Sequence, residues 1–175
     1  MTESVCLATL AQLAPGEAKV GYRKTGLRHV FGTSDIRLPL EFDRREFFMK
    51  SATYTRGISI SGVQQKLSMR LDPATRKLVP TNLGGEYILK PSPKEYPNAA
   101  ENEHAAMLAS KKMGIETAEC ALVRFADGEL AYITRRFDRL AGGAKVHQED
   151  LLQISGQSPH NKYAMSYEEA GRYVA

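Results

Sequence analysis

Tryptophan is absent from this sequence of 175 residues, and cysteine is scarce. The two cysteines, Cys6 and Cys120, lie far apart and lack the spacing of metal ligands, which favours reduced thiols over a disulfide or a zinc site. The histidines, including His147 and His160, also lack partners at the spacing of a metal site or a catalytic triad. We therefore expect no metal ligands in this chain.

Long apolar runs are absent too. No stretch approaches the roughly 20 residues needed to cross a bilayer, and no basic segment followed by an apolar one marks a secretion signal at the N-terminus. The sequence therefore predicts a cytoplasmic protein that does not engage a membrane. With 42% hydrophobic and 25% charged residues, the chain is long enough to form one domain with a single core.

The net charge of +4 does not identify a ligand. A pI near 9.1 suits a nucleotide or a nucleic acid, but the basic residues are scattered, and 20 acidic residues are interleaved with them. Two glycine-rich nucleotide motifs are also missing. Gly57 and Gly62 have the Walker A spacing, but Val63 occupies the position that requires lysine, and G-x-G-x-x-G does not occur. These absences argue against a P-loop NTPase or a Rossmann fold.

Residues 57–66, with the sequence Gly-Ile-Ser-Ile-Ser-Gly-Val-Gln-Gln-Lys, are the most informative segment. Two glycines enclose Ser59 and Ser61 in a pattern that is typical of turns and that also suits a loop over a phosphate. Residues 66–71 then alternate between polar and apolar side chains, which predicts a strand that ends at Asp72.

A second predicted strand, Glu86–Lys90, ends in a lysine. Ile88 and Lys90 share one face by two-residue periodicity, so we expect Ile88 to be buried and Lys90 to point into a cleft. The helix that follows is predicted to be capped by Asn98, with Glu101 three residues later, and to end at Gly114. Its core-facing stripe is predicted to contain Ala105, Leu108, Ala109 and Met113.

Two more strands are predicted at 120–125 and 129–137, because these segments flank Asp127-Gly128, a dipeptide favoured in tight hairpin turns. The first 50 residues are harder to interpret. Residues 5–13 suit a short strand or helix, Pro15-Gly16 is expected to break it, and residues 43–52 suit a basic helix. Ser166-Tyr-Glu-Glu169 has the pattern of a capping box and predicts a helix with an apolar stripe: Tyr167, Ala170, Tyr173 and Val174.

A loop over phosphates, a strand lysine and an acidic helix follow one another in the order found in the N-lobe of a kinase. In such a lobe, a cation that is fixed by a carboxylate stabilises the charged phosphates of ATP. Lys90 is the candidate cation. Glu103 is its preferred partner and Glu101 the alternative, because the Glu101 side chain has a competing use in the helix cap.

Five blocks of this sequence resemble, in the same order, the HipA-like serine/threonine kinases, the toxins of bacterial toxin–antitoxin systems. The blocks are residues 59–66, Tyr87-Ile-Leu-Lys-Pro91, Glu101-Asn-Glu103, Arg136-Phe-Asp-Arg139 and Gln148-Glu-Asp-Leu151. The serine pair around Ile60 is most similar to the shorter HipT branch. The resemblance implies an α+β fold with a protein-kinase-like N-lobe, formed by an antiparallel sheet and one helix, and then the beginning of a helical C-lobe.

Domain boundaries follow from the same resemblance. Residues 1–56 form an N-terminal segment without an assignment, residues 57–139 the N-lobe, and residues 140–175 the start of the C-lobe. The catalytic and metal-binding aspartates of such kinases are expected beyond Ala175. The chain is therefore expected to be the front part of a longer protein or a truncated product, and to be inactive alone.

The resemblance also implies an ATP site and self-phosphorylation. The implied ATP-binding residues come from the loop, the lysine pair and the hinge: Ser61, Gly62, Val63, Gln64, Lys90, Glu103, Arg136, Phe137 and Asp138. At the hinge, the backbone around Arg136 and Phe137 is expected to hydrogen-bond adenine, although the family often has a glutamate in place of Arg136. Self-phosphorylation is implied at Ser59, Ser61 or both, where the added negative charge would repel the phosphates of ATP.

Substrates and partners are implied in the same way. Mg-ATP would be the phosphoryl donor, with the Mg²⁺ ligands in the missing segment, and an aminoacyl-tRNA synthetase would be the protein substrate. The implied partners are a cognate antitoxin with a helix-turn-helix component and a separate small protein that replaces an N-terminal subdomain; direct nucleic-acid binding is not expected. Two alternatives stay open: a shortened, inactive module that binds a nucleotide or the antitoxin, and an unrelated small basic domain that binds nucleic acid.

Overall fold

A computed structural model describes residues 4–18, 20–54, 65–140, 144–158 and 164–173. These residues form two compact units, one with the described residues up to Phe137 and one with those from Asp138 onward. The first unit contains a sheet and several helices, and residues 4–54 belong to it together with the sheet. The second unit contains short helices.

Five antiparallel strands form the sheet of the first unit: β1 Leu67–Asp72, β2 Lys77–Pro80, β3 Tyr87–Pro91, β4 Cys120–Arg124 and β5 Leu130–Arg135. Their order across the sheet is β2-β1-β3-β5-β4, so β3 lies at the centre. The predicted α+β fold with an antiparallel sheet, compatible with a kinase-like N-lobe, is confirmed. The sequence missed β2, because a strand of four residues gives too few alternations to recognise.

One face of this sheet belongs to the hydrophobic core. Leu67 on β1, Leu89 on β3 and Ile133 on β5 are register partners, and all three are fully buried. Ile88 and Lys90 lie on the opposite face and are both partly exposed, so the expectation of a buried Ile88 is wrong. The two-residue alternation of β3 places its odd-numbered residues in the core.

Four helices accompany the sheet: α1 Pro15–Ala18, α2 Lys24–Phe31, α3 Arg44–Tyr54 and α4 Ala99–Lys112. Helix α3 confirms the helix predicted at 43–52. Its start is fixed reciprocally, because the Glu46 amide donates to the Asp43 carboxylate at 2.8 Å and the Asp43 amide donates to the Glu46 carboxylate at 3.1 Å. The sequence missed α2, although Leu27, Val30 and Phe31 recur at helical spacing and are buried.

Residues 5–13 form neither a strand nor a helix; an isolated bridge joins Val5 to Gln12. Pro15 begins α1 instead of breaking an element. Proline is tolerated in the first helical turn, since the N–H that it lacks would have no helical partner there. The expectation for this segment is therefore wrong.

The N-terminal segment covers the outer edge of β4. The Leu122 amide donates to the Leu7 carbonyl, and the Leu40 amide donates to the Arg124 carbonyl, both at 2.8 Å. These bonds satisfy backbone groups that a bare edge strand would expose.

The buried side of α4 differs from the predicted stripe. Ala100 and His104, four residues apart, are fully buried, and Met107 packs partly against the core. The predicted positions are exposed or half-buried: Ala105, Leu108, Ala109 and Met113. The alanines of this helix lie on several of its sides, so its apolar pattern does not single out one buried face. The face that is buried includes His104, which a hydrophobicity pattern assigns to the solvent-exposed side. Gly114, with a φ of 80°, ends the helix as predicted.

The predicted hairpin around Asp127-Gly128 is confirmed. The Phe125 amide donates to the Glu129 carbonyl at 2.9 Å, which leaves a loop of three residues, 126–128. Gly128 has a φ of 89°, the left-handed conformation that such a loop requires at its last residue.

The second unit contains α5 Leu151–Ile154 and α6 Tyr167–Arg172. Asp150 begins α5 through a capping box with Gln153. At the start of α6, the Ser166 hydroxyl accepts a bond from the Glu169 amide at 3.1 Å, as predicted, and Tyr167, a member of the predicted apolar stripe, is almost fully exposed. Within the described ranges, no helix is both long and apolar enough to cross a membrane.

Candidate functional site

Lys90 lies on the central strand β3, where its side chain is held from two sides. Its Nζ lies 2.6 Å from Oε1 of Glu103, and 5.4 Å from the ring centroid of Tyr132, its register partner on β5. The Lys90 side chain is 23% exposed and that of Glu103 is 32% exposed. The ammonium is therefore fixed by a carboxylate and an aromatic face but still reaches the surface.

The structure pairs Lys90 with Glu103, the carboxylate that the sequence favours. Glu103 lies about one turn into α4. The alternative, Glu101, has a buried Oε2 that makes no hydrogen bond among the described residues. A contact of Lys90 or Glu103 with ATP stays a prediction.

Neutral groups lie beneath this charged pair. His104, the residue after Glu103, is fully buried, and its Nδ1 lies 3.6 Å from Sγ of Cys120 on β4. Burial lowers the pKa of His104 and raises the pKa values of Cys120 and Tyr132. All three groups are therefore neutral near pH 7, and the charge of the site is confined to Lys90 and Glu103.

The two cysteines are free and buried, in agreement with reduced thiols. Burial raises the pKa of the Cys6 thiol, but hydrogen bonds to its sulfur, first that of the Arg23 amide at 3.3 Å, outweigh this effect and lower the pKa overall. Cys6 lies in the N-terminal segment, where its sulfur contacts the Arg23 amide, and we do not assign it to the candidate site.

The predicted hinge begins directly after β5. The Arg136 amide donates to the Glu86 carbonyl at 2.7 Å, which ties the end of β5 to the residue before β3. That amide is consequently used within the sheet, and the predicted adenine contacts fall to the Arg136 carbonyl and the Phe137 backbone. Phe137 is 68% exposed.

Asp138 belongs to the second unit. Its side chain is buried and pairs with the Arg139 guanidinium, and its carbonyl accepts a bond from the Val146 amide at 3.0 Å. These contacts give Asp138 a role in the fold of its own unit. Its predicted role at ATP stays a prediction.

The predicted phosphate loop lies outside the described residues. This applies to both proposed self-phosphorylation sites and to the loop residues assigned to ATP: Ser59, Ser61, Gly62, Val63 and Gln64. Their roles also stay predictions.

Sequence reasoning missed Tyr132 and His104. For Tyr132 a signal exists: pairing β5 with β3 around the predicted hairpin places an aromatic residue beside Lys90. For His104 the sequence offers no such signal, because a lone histidine on a helix does not reveal its burial.

A family model described as "HipA-like C-terminal domain" matches residues 58–175 of this chain. The match covers about two thirds of the sequence and includes every strand of the sheet. It removes the alternative of an unrelated basic domain.

Curated relatives agree with this match. A protein of Haemophilus influenzae named "Putative kinase" is 36% identical over 97% of this chain and 52% of its own length. A protein of Sinorhizobium fredii named "Putative kinase Y4dM" is 36% identical over 66% of this chain and 32% of its own length. A second protein of that organism, named "Putative kinase Y4mE", is 32% identical over 61% of this chain and 26% of its own length. The chain spans about half the length of the Haemophilus relative and less of the other two.

Proposed function

The chain belongs to the HipA-like family, and from this premise we propose that it supplies the ATP-binding lobe of a protein serine/threonine kinase. One observation carries the proposal: a strand lysine and a helix glutamate, Lys90 and Glu103, are hydrogen-bonded at 2.6 Å. In protein kinases, a lysine on the third strand and a glutamate on the following helix form this ion pair. Lys90 lies on the third strand of this sheet, and Glu103 lies on the helix that follows it.

The residues present fit the phosphates of ATP. Bound ATP supplies the γ-phosphoryl group that a kinase transfers. Lys90 contributes a positive charge whose position is set by Glu103 and Tyr132, so little rotamer freedom is lost when a phosphate binds. The Lys90 side chain is also partly exposed, as a ligand-binding lysine must be.

We assign no Mg²⁺ ligands among the described residues. Among the described residues, no group of three or more histidine, cysteine, aspartate or glutamate side chains is arranged to hold a metal ion. The resemblance places the metal-binding residues beyond Ala175, and we propose no step through the ion.

The hinge and the loop complete the proposal. The Arg136 carbonyl and the Phe137 backbone would bind adenine, and Ser61 to Gln64 would cover the phosphates. Phosphorylation of Ser59 or Ser61 would add about 1.5 to 2 negative charges to that loop and repel the nucleotide. We expect the double change Ser59→Asp and Ser61→Asp to weaken MgATP binding more than the matched double change to alanine, which removes the hydroxyls without adding negative charge. Equal affinities for the two variants would contradict this off switch.

Target and partners extend the proposal beyond this chain. By family resemblance, the substrate is an aminoacyl-tRNA synthetase, and the partners are an antitoxin with a helix-turn-helix component and a small protein in place of an N-terminal subdomain. Transfer of labelled phosphate from ATP to purified synthetases by the protein isolated from its native cell tests this part. Nucleotide binding without any transfer would favour the inactive binding module.

Calorimetric titration with MgATP tests the proposed site. We expect Lys90→Met to weaken binding by about 10- to 100-fold, since a charged hydrogen bond contributes on the order of 1.5 to 3 kcal/mol. Lys77→Met is the matched control, because Lys77 is also a strand lysine in an ion pair, with Glu41 at 2.5 Å. Equal MgATP affinities of the two variants would contradict the proposal, as would a wild-type chain that does not bind MgATP.

A further inference from the structure

Ser92, which precedes α4 in the chain, caps the helix that carries Glu103. The Ser92 hydroxyl accepts a hydrogen bond from the Ala100 amide, in the first turn of α4, at 3.0 Å. Ser92 is only 6% exposed. Asn98 stands at the N-cap position but makes no capping bond with its side chain. The cap predicted from local sequence is therefore supplied through tertiary structure.

Arg44 holds the backbone of this serine. Its Nη2 donates to the Ser92 carbonyl at 2.7 Å, and its Nη1 donates to the Glu129 carboxylate at 2.8 Å. The Arg44 amide donates to the Asp127 carboxylate at 3.1 Å. The first residue of α3 thus joins the β3–α4 connection to the β4–β5 hairpin, and its guanidinium fork spans both.

The spacing along the chain connects the contacts of Ser92 and Arg44 to the candidate site. Ser92 follows Lys90 by two residues, and Ala100 precedes Glu103 by three. The bond between Ser92 and Ala100 therefore closes the short loop whose two ends carry the lysine and the glutamate. A displacement of α4 by about 1 Å would lengthen the Lys90–Glu103 contact beyond hydrogen-bonding distance.

We infer that Ser92 and Arg44 are positioning residues for the phosphate-binding pair: they fix the first turn of α4 against the end of β3 and thereby hold Glu103 on Lys90. The inference rests on the proposed function. It assigns no contact with ATP to either residue. Their effect is transmitted through Lys90 and is confined to the phosphates of the nucleotide.

Affinities for MgATP and for adenosine separate this role from a general structural one. We expect Ser92→Ala to weaken MgATP binding by about five- to tenfold, in the range of a lost helix cap, with adenosine binding unchanged. Asn98→Ala is the matched control and should change neither affinity, because its side chain makes no capping bond. Arg44→Lys keeps the charge but loses the fork, and should weaken MgATP binding by about two- to fivefold.

A double-mutant cycle completes the test. In a Lys90→Met background, Ser92→Ala should cause no further loss of MgATP affinity, because Ser92 acts through Lys90. Equal losses for MgATP and adenosine, or a full additional loss in the Lys90→Met background, would overturn the inference. If Ser92→Ala does not fold, Arg44→Lys carries the same comparison.

Failure of the inference is distinct from failure of the proposed function. If Lys90→Met weakens MgATP binding but neither Ser92→Ala nor Arg44→Lys does, only the positioning role is wrong. If Lys90→Met itself has no effect, the proposed function is wrong, and the inference falls with it.

Discussion

Two lysines of the same sheet, Lys90 and Lys77, form ion pairs of nearly equal length but in different surroundings. Lys90 Nζ lies 2.6 Å from Glu103, and Lys77 Nζ lies 2.5 Å from Glu41. Glu103 is 32% exposed on the long helix α4, whereas Glu41 is 66% exposed in the connection between α2 and α3. A short distance between charges does not by itself make a binding site.

The two pairs differ in the element that carries the carboxylate: a helix for Glu103 and a connecting segment for Glu41. Glu103 precedes the buried His104, on a helix whose first turn is bonded to Ser92. Lys77 lies on the edge strand β2, and its partner on a connecting segment. An exposed pair of that kind contributes little free energy, since solvent screens the charges and both side chains lose entropy. We therefore expect changes at the two ion pairs to have unequal effects on stability and on nucleotide binding.

The largest effect should come from removing the His104 side chain, which is buried beneath α4. We expect His104→Ala to lower the free energy of unfolding by about 2 to 4 kcal/mol, because it leaves a cavity beneath the helix. His29→Ala, at an exposed position, should change it by less than about 0.5 kcal/mol. Urea unfolding monitored by circular dichroism measures both; similar values for the two variants would contradict the anchoring role of His104.

Double-mutant cycles compare the pairs directly. Alanine at both members of the Lys90–Glu103 pair should reveal a coupling of about 1 to 2 kcal/mol in unfolding free energy, because the pair is partly buried. The Lys77–Glu41 pair should give less than about 0.5 kcal/mol. Equal couplings would remove the distinction between the two sites.

Nucleotide binding should also distinguish the two carboxylates, Glu103 and Glu41. Glu103→Gln keeps the shape of the side chain but removes the charge that orients Lys90, and should weaken MgATP binding by about tenfold, equivalent to about 1.4 kcal/mol. Glu41→Gln should leave the affinity unchanged. A loss of similar size in Glu41→Gln, measured by the same titration, would show that general surface charge controls binding.

A smaller effect is expected from pH. Burial lowers the pKa of His104 below its ordinary value of 6.5 in the folded chain, so the unfolded chain binds that proton more readily. This contribution to stability is complete above about pH 6.5 and is lost as the pH falls towards the folded-state pKa, by about 1 kcal/mol or less per unit. His104→Leu should flatten the dependence of unfolding free energy on pH between 7 and 5; an unchanged slope would exclude His104 as its source.

The sequence predicts the parts of the site that follow local periodicity. Lys90 could be placed on a strand, and Glu103 on the next helix, because alternation and acidic spacing are local patterns. The support of the site could not be predicted in this way. Asn98 has the right position and chemistry for a cap, yet Ser92 provides it, because tertiary contacts bring β3 and Arg44 to the start of α4.

The same limit explains the errors on α4 and β3. Alanines around α4 permit several helical phases, and only packing against the sheet selects the one that buries Ala100 and His104. On β3, two-residue alternation shows which residues share a face but not how deeply each residue is buried: Tyr132, on the same face as Ile88, is buried, whereas Ile88 is partly exposed.

An NMR measurement of the lysine ammonium groups tests whether Lys90 binds the phosphates of ATP. The ¹⁵Nζ signals of Lys90 and Lys77 can be assigned with the two methionine variants and followed as MgATP or adenosine is added. We expect MgATP to shift the Lys90 signal, adenosine to leave it in place, and the Lys77 signal to stay unchanged with either ligand. MgATP binding that leaves the Lys90 signal in place, or moves both signals equally, would contradict the assignment of Lys90 as the phosphate-binding lysine.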